Sequence, residues 1–140
     1  PFRLILAIPK IKKFKVDNSP DLVAMKDMRH NLRQTAMLQQ AFAEGDLELL
    51  VQTLEDPIDQ PLIQAGISGF AHVAEIARLA GALGVTTTGR GSTMVFFAHD
   101  NLPHLVEVIN QAFLNLDITA QVLTVPVDTQ GVVLSVMKSI

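Results

Sequence analysis

From Phe2 to Ile8 the chain runs apolar and partly β-branched, interrupted only by Arg3, and it stops at Pro9. A short apolar run closed by proline predicts a buried strand. The basic stretch Lys10 to Val16 and the turn-rich Asp17-Asn18-Ser19-Pro20 follow. Its four lysines read as a solvated extension anchored by Ile11, Phe14 and Val16, with steering of an anionic ligand as the other reading. Residues 21–44 predict a helix. Met25, Met28, Leu32 and Ala36 recur at three- and four-residue spacings, and Leu38, Ala41 and Phe42 broaden the apolar face. Met25, Met28 and Met37 are read as core filler.

Gly45 is placed as a C-terminal cap and Asp46 as the N-cap of a second helix, with Leu47, Leu50, Val51 and Leu54 on one side. Residues 57–66, with two prolines and Gly66, read as irregular. Ser68 is the expected cap of a third helix carrying Phe70, Val73, Ile76, Ala77 and Ala80, closed by Gly81 and Gly84. Val85 to Thr88 and Met94 to Ala98 predict two strands. Pro103 opens a helix bearing Leu105, Val108, Ile109, Ala112 and Leu116. Ala120 to Val127 and Val132 to Met137 predict a last strand pair. The order β, three helices, β-β, α, β-β favours an α+β fold with a mostly antiparallel sheet and helices on one face. No repeat or second boundary interrupts residues 1–140, so a single domain is expected.

Composition sharpens this in a few respects. Of the 140 residues, 49% are hydrophobic and 18% charged, so a packed core is expected and disorder is not. A net charge of −3 gives no footprint for nucleic acid. No apolar run reaches the roughly 20 residues of a membrane helix. With no cysteine there are no disulfides or thiolate sites, which fits a reducing, cytoplasmic setting. The chain opens on Pro1 directly before a strand, and a cut from a longer protein is expected.

Candidate chemistry centres on Thr88-Gly89-Arg90-Gly91-Ser92-Thr93. Glycines between strands let backbone N–H groups approach an anion closely, and Arg90 adds a cationic fork. By itself the glycine pair is a weak signal, and a plain hairpin turn is the simpler reading. His30, His72, His99 and His104 show no ligand-pair spacing, so no metal site is expected. Ser92 lacks a His–Asp neighbourhood, and no catalytic residue is assigned.

The stretch Gly81-Ala82-Leu83-Gly84, a strand, Thr88 to Thr93 and a second strand resembles the third conserved motif of GHMP kinases. Ile8-Pro9, Asn31 within a helix, Ala43-Glu44-Gly45-Asp46-Leu47 and Gln60-Pro61 follow the homoserine kinase branch in the same order. The resemblance runs from Phe2 to about Val133. It implies the C-terminal half of a two-domain kinase, ferredoxin-like in fold. The N-terminal half would hold ATP and Mg2+ through a phosphate loop absent here. It further implies phosphorylation of a small amino acid's hydroxyl, with L-homoserine first, in threonine biosynthesis.

By the same resemblance Thr88 to Thr93 shape the cleft, and Asn31, Arg33 and Gln34 belong to the substrate region. The expected partners are the small-molecule substrate and the N-terminal half, with a homodimer open. The family's Asn-Leu-Ser-Arg is Asn31-Leu32-Arg33-Gln34 here, and a second arginine is replaced by Ile63. Both arginines would bind the substrate carboxylate. Another kinase substrate, an isoprenoid alcohol or sugar, therefore stays open, as does a non-catalytic ferredoxin-like binding domain.

Overall fold

The computed structural model describes residues 3–11 and 20–135. Along the chain come β1 (Arg3–Pro9), α1 (Met25–Glu44), α2 (Leu47–Gln52), α3 (Gln60–Gly66) and α4 (Phe70–Leu79). Then follow β2 (Gly84–Thr87), β3 (Met94–Ala98), α5 (Leu102–Leu114) and β4 (Ala120–Val125). The strands form one antiparallel sheet in the order β2-β3-β1-β4. This is the ferredoxin-like arrangement, with the first and third strands at the centre.

Register sorts the side chains into two cores. Ile5 pairs with Phe96 and Ala7 with Met94. These four are fully buried against Val73, Ala74 and Ala77 of α4 and Leu105, Ile109 and Phe113 of α5. The alternate residues, Leu4 and Leu6 with Val95 and Phe97, point the other way, toward Leu38 and Ala41 of α1 and Leu47 and Leu50 of α2. The expected helical layer is thus α4 and α5, and α1 with α2 adds partial cover on the opposite face. All five residues of β3 are buried, which is why Met94 to Ala98 reads as continuous apolar sequence instead of alternating.

The caps around Gly45 form as expected. Gly45 sits at φ 69°, and the Asp46 carboxylate accepts a hydrogen bond from Leu49 N–H at 2.9 Å. Four expectations need correction. Residues 60–66 are helical: Pro61 lies in the first turn of α3, where its missing N–H costs nothing. Ser68 does not cap α4; Gly69 does, at φ 76°, because a Cβ there would run into the Leu116 side chain. Residues 132–135 form no strand: Val132, Val133 and Leu134 are 93%, 70% and 89% exposed, so this apolar run has no core face to bury; residues 136 and 137 lie outside the described part. Finally, Met25, Met28 and Leu32 face solvent, so the first two are not core filler. The face of α1 that packs is the one holding Leu38 and Ala41, which meets the leucines of α2.

Gly69 supplies a stability test. Gly69→Ala should destabilise the chain by about 1–3 kcal/mol, because it combines a left-handed backbone with the collision at Leu116. Urea denaturation measures this, and Leu116→Ala in the same chain should return part of the loss by removing the collision alone.

Candidate functional site

Helix α1 runs alongside the connection from α2 to α3, and the seam between them holds the polar centre of the molecule. Asp56 organises it. Its Oδ1 accepts hydrogen bonds from Asn31 Nδ2 at 2.8 Å, Ile58 N–H at 2.9 Å and Asp59 N–H at 3.2 Å. An aspartate accepting from the N–H groups two and three residues ahead is a local turn-former, and Pro57 suits such a turn. Burial works against the charged form of Asp56. The Asn31 amide, the two backbone N–H groups and nearby His30 outweigh it, and hold the carboxyl below the ordinary carboxylate value.

Gln60 ties this turn to the sheet. Its Nε2 donates to Leu54 O and, at 3.0 Å, to Thr86 Oγ1 on β2, while its Oε1 accepts from Asp56 N–H at 3.3 Å. One amide therefore joins the 54–56 segment, the start of α3 and the strand that leads into the glycine loop.

Two clefts flank Asp56. The larger, about 440 Å³, is lined by Lys26, Asp27 and His30 of α1 and by Glu55, Asp56, Pro57, Gln60, Pro61 and Gln64. The smaller, about 180 Å³, includes Asn31, Gln34, Thr35 and Thr53. His30 Nε2 and Asn31 Oδ1 are buried with no hydrogen-bond partner among the described residues. Such atoms are costly to leave unpaired and mark where a polar ligand or solvent would be welcome. One lysine, three carboxylates and two amides around the larger cleft suit a small ligand with both donors and acceptors.

Of the residues singled out from sequence, Asn31 and Gln34 come together here. Gln34 donates to Gln52 O at 3.0 Å. Arg33 is exposed and lines neither cleft, as one residue's 100° rotation on a helix dictates. The loop Thr88 to Thr93 closes as a hairpin: Thr88 N–H donates to Thr93 O at 3.0 Å and Gly91 N–H to Thr88 O at 2.9 Å. Gly89 is left-handed at φ 45°, whereas a Cβ on Gly91 would meet only ordinary contacts.

The loop's side chains line neither cleft, but Arg90 Nη1 reaches Asp59 Oδ1 at 3.1 Å. With 46% and 37% of those side chains exposed, the pair contributes at most about 1 kcal/mol. Sequence reasoning gave Asp56, Asp59 and His30 no part in the site. The signal that points to the first two is the Asp-Pro turn directly ahead of Gln60-Pro61.

The glycine loop leads into a strand, not a helix N-terminus, so it forms no cradle of aligned N–H groups. Among the described residues, no three of His, Asp and Glu gather to hold a metal ion. Among them, too, no helix is long and apolar enough to cross a membrane.

No family model matches the chain. Homoserine kinase of Halothermothrix orenii is 31% identical over 135 residues, covering 94% of this chain and 43% of that relative. Homoserine kinase of Moorella thermoacetica is 36% identical over 94 residues, covering 67% of this chain and 32% of its own length. In fold, the chain superposes on the crystal structure of homoserine kinase from Cytophaga hutchinsonii with a TM-score of 0.81 at 20% identity, over 93% of this chain and 43% of that one. Mevalonate kinase from Staphylococcus aureus gives 0.57 at 17% identity, over 87% of this chain and 41% of that one.

The sheet order, the helices on it and these similarities define the C-terminal half of a GHMP-family small-molecule kinase, and the chain belongs to that family. Within it, the chain is most like the homoserine kinases. It spans less than half the length of the curated relatives it matches.

Asp56 offers a pH-dependent test. Asp56→Ala should cost about 1–3 kcal/mol at pH 7, the loss expected when hydrogen bonds to a charged acceptor go. A native pKa below the unfolded value of about 3.9 stabilises the fold above that value, and the gain disappears as pH falls through the lower native pKa. The gap between parent and variant should therefore narrow below about pH 4. Urea titrations at neutral and acid pH measure it, and a constant gap would contradict the assignment.

Proposed function

We propose that this chain is a single-domain C-terminal unit of a longer cytoplasmic kinase that transfers phosphate from ATP to the hydroxyl of L-homoserine, on the path to threonine. The observation that carries this reading is the 31% identity to a homoserine kinase over 94% of the chain. In the proposed enzyme, ATP and Mg2+ sit mainly on the other half. The substrate lies at the seam beside Asn31 and Gln34, and the glycine loop from Thr88 to Thr93 borders it.

In phosphoryl transfer, positioning and charge neutralisation supply most of the barrier reduction. This half contributes the positioning. Asp56 fixes Asn31, Gln60 fixes the turn against β2, and Asp59 holds Arg90 at the loop. Arg90 is close enough to the rim of the seam to exchange Asp59 for an anionic group of a bound ligand.

A second reading rests on Ile63. At the place where the family resemblance implies an arginine, Ile63 is buried in the core that α4 shares with the sheet. Gln34, at the other such place, is engaged with Gln52 O. A substrate alcohol without a carboxylate, of the isoprenoid or sugar type, fits these replacements.

The test is a fusion of this chain behind the unmatched segment of the Halothermothrix orenii homoserine kinase. The isolated chain should show no Mg-ATP turnover, and the fusion should phosphorylate L-homoserine in a coupled assay. Mevalonate phosphorylated in its place selects the second reading, and no turnover with either leaves a non-catalytic binding domain. In the active fusion, Arg90→Ala should raise KM by about threefold or more with kcat little changed, the pattern of lost ligand binding. An unchanged KM would remove Arg90 from the site.

A further inference from the structure

A third cleft, of about 300 Å³, lies where α2 and the connection after it meet the end of α4 and the edge strand β2. Its volume is at the lower end of the roughly 300–1,000 Å³ found for small-molecule pockets. Val51, Leu54, Leu83 and Val85 give it apolar walls. Four polar side chains share it with them: Glu55, Gln60, Gln64 and Arg78. Glu55, Gln60 and Gln64 also line the larger cleft at the seam, whereas Arg78 and the residues of β2 do not.

Opposite charges are both present in this cleft, and nothing joins them. Arg78 and Glu55 form no ion pair with each other or with any other of the described residues. Arg78 is not spent on its own helix either. It sits in the last turn of α4, where a cation often answers the final carbonyls. Here the N–H groups of Ala80, Gly81 and Ala82 already donate to the carbonyls of Ile76, Arg78 and Ala77. The two amides differ in the same respect. Gln60 is fully engaged by Leu54 O, Thr86 Oγ1 and Asp56 N–H. The Gln64 amide, one turn further along α3, has no hydrogen-bond partner among the described residues.

We propose that this cleft binds a free α-amino acid with a small apolar side chain. The carboxylate goes to the Arg78 guanidinium, whose fork of donors matches it. The ammonium goes to Glu55, and Gln64 adds a hydrogen bond. The side chain lies against Val51, Leu54, Leu83 and Val85, where burial of apolar surface holds it. Other small ligands fit less well. A phosphate or a dicarboxylate would set a second negative charge against Glu55, and a diamine would do the same against Arg78. The site is separate from the seam and needs no kinase activity, and its ligand needs no hydroxyl.

L-Valine is the probe, titrated into this chain by calorimetry. It should bind saturably at millimolar concentration or below. Arg78→Gln should weaken binding by about tenfold or more, the loss of a charged hydrogen bond. Its melting temperature should stay unchanged, because the side chain is exposed and holds no structural partner. Lys26→Gln, which alters the larger cleft and not this one, should leave the affinity intact. L-Valinamide lacks the carboxylate and 3-methylbutanoate lacks the ammonium, and each should bind about tenfold weaker or worse. Glycine, without the apolar side chain, should bind about threefold weaker or worse.

No saturable binding of L-valine would overturn the proposal. So would equal affinity in Arg78→Gln, or a loss confined to Lys26→Gln, which would move the ligand to the seam. Binding of 3-methylbutanoate as tight as that of L-valine would overturn it too, by removing Glu55 from recognition. Glycine bound as tightly as L-valine would do the same for the apolar walls. Because the readout is binding without ATP, failure of the kinase fusion leaves each of these outcomes as decisive as before.

Discussion

The pairing of β1 with β3 is the constraint from which the rest of this structure follows. Ile5 opposite Phe96 and Ala7 opposite Met94 fill one core, while Leu6 opposite Val95 and Leu4 opposite Phe97 fill the other. Side chains alternate with a period of two, so a slip of one residue would exchange the two sets and leave neither helix layer with a matching surface. With the central pair fixed, β2 can add only beyond β3 and β4 only beyond β1. That fixes the end of the sheet at which the turn between β2 and β3 emerges. It also fixes the side on which α1 and α2 lie.

The polar seam depends on this frame through few atoms. Asp56 gathers α1 and the start of α3 around one oxygen, and Gln60 carries the same connection across to Thr86. Neither residue is deeply buried, and no long-range ion pair is needed. The arrangement holds because each polar group completes a backbone or amide partner that a turn would otherwise leave open. The result is a hydrogen-bonded wall between two clefts, with the partly exposed Arg90 at its edge.

Sequence alone reveals the parts of this fold that obey local rules. The strand at β1, the paired caps at Gly45 and Asp46, the hairpin around Gly89 and the helix after Asn101 each follow from period, cap chemistry or turn residues within a few positions. The misses are all matters of tertiary competition. Helix α3 hides behind two prolines whose positions are harmless only because one sits in a first turn. Helix α1 offers two apolar stripes of similar strength, and nothing local says which meets α2. Residues 132–135 have strand chemistry but no core face on which to bury Val132, Val133 and Leu134. In the site, Asn31 and Gln34 were legible by resemblance. Asp56 was not, because its role lies in which N–H groups the chain bends toward it.

The central strands also govern how the molecule comes into being. Ala7 waits for Met94 and Pro9 for Ala120, so the first strand of this sheet is among the last to be satisfied. Contacts that close such long loops are won slowly, because chain entropy is lost before any burial repays it. While the helices between them form, the apolar Leu4 to Ile8 segment has no partner strand. During that interval it is the segment most exposed to misassociation on the ribosome, and the one where a chaperone would find its grip.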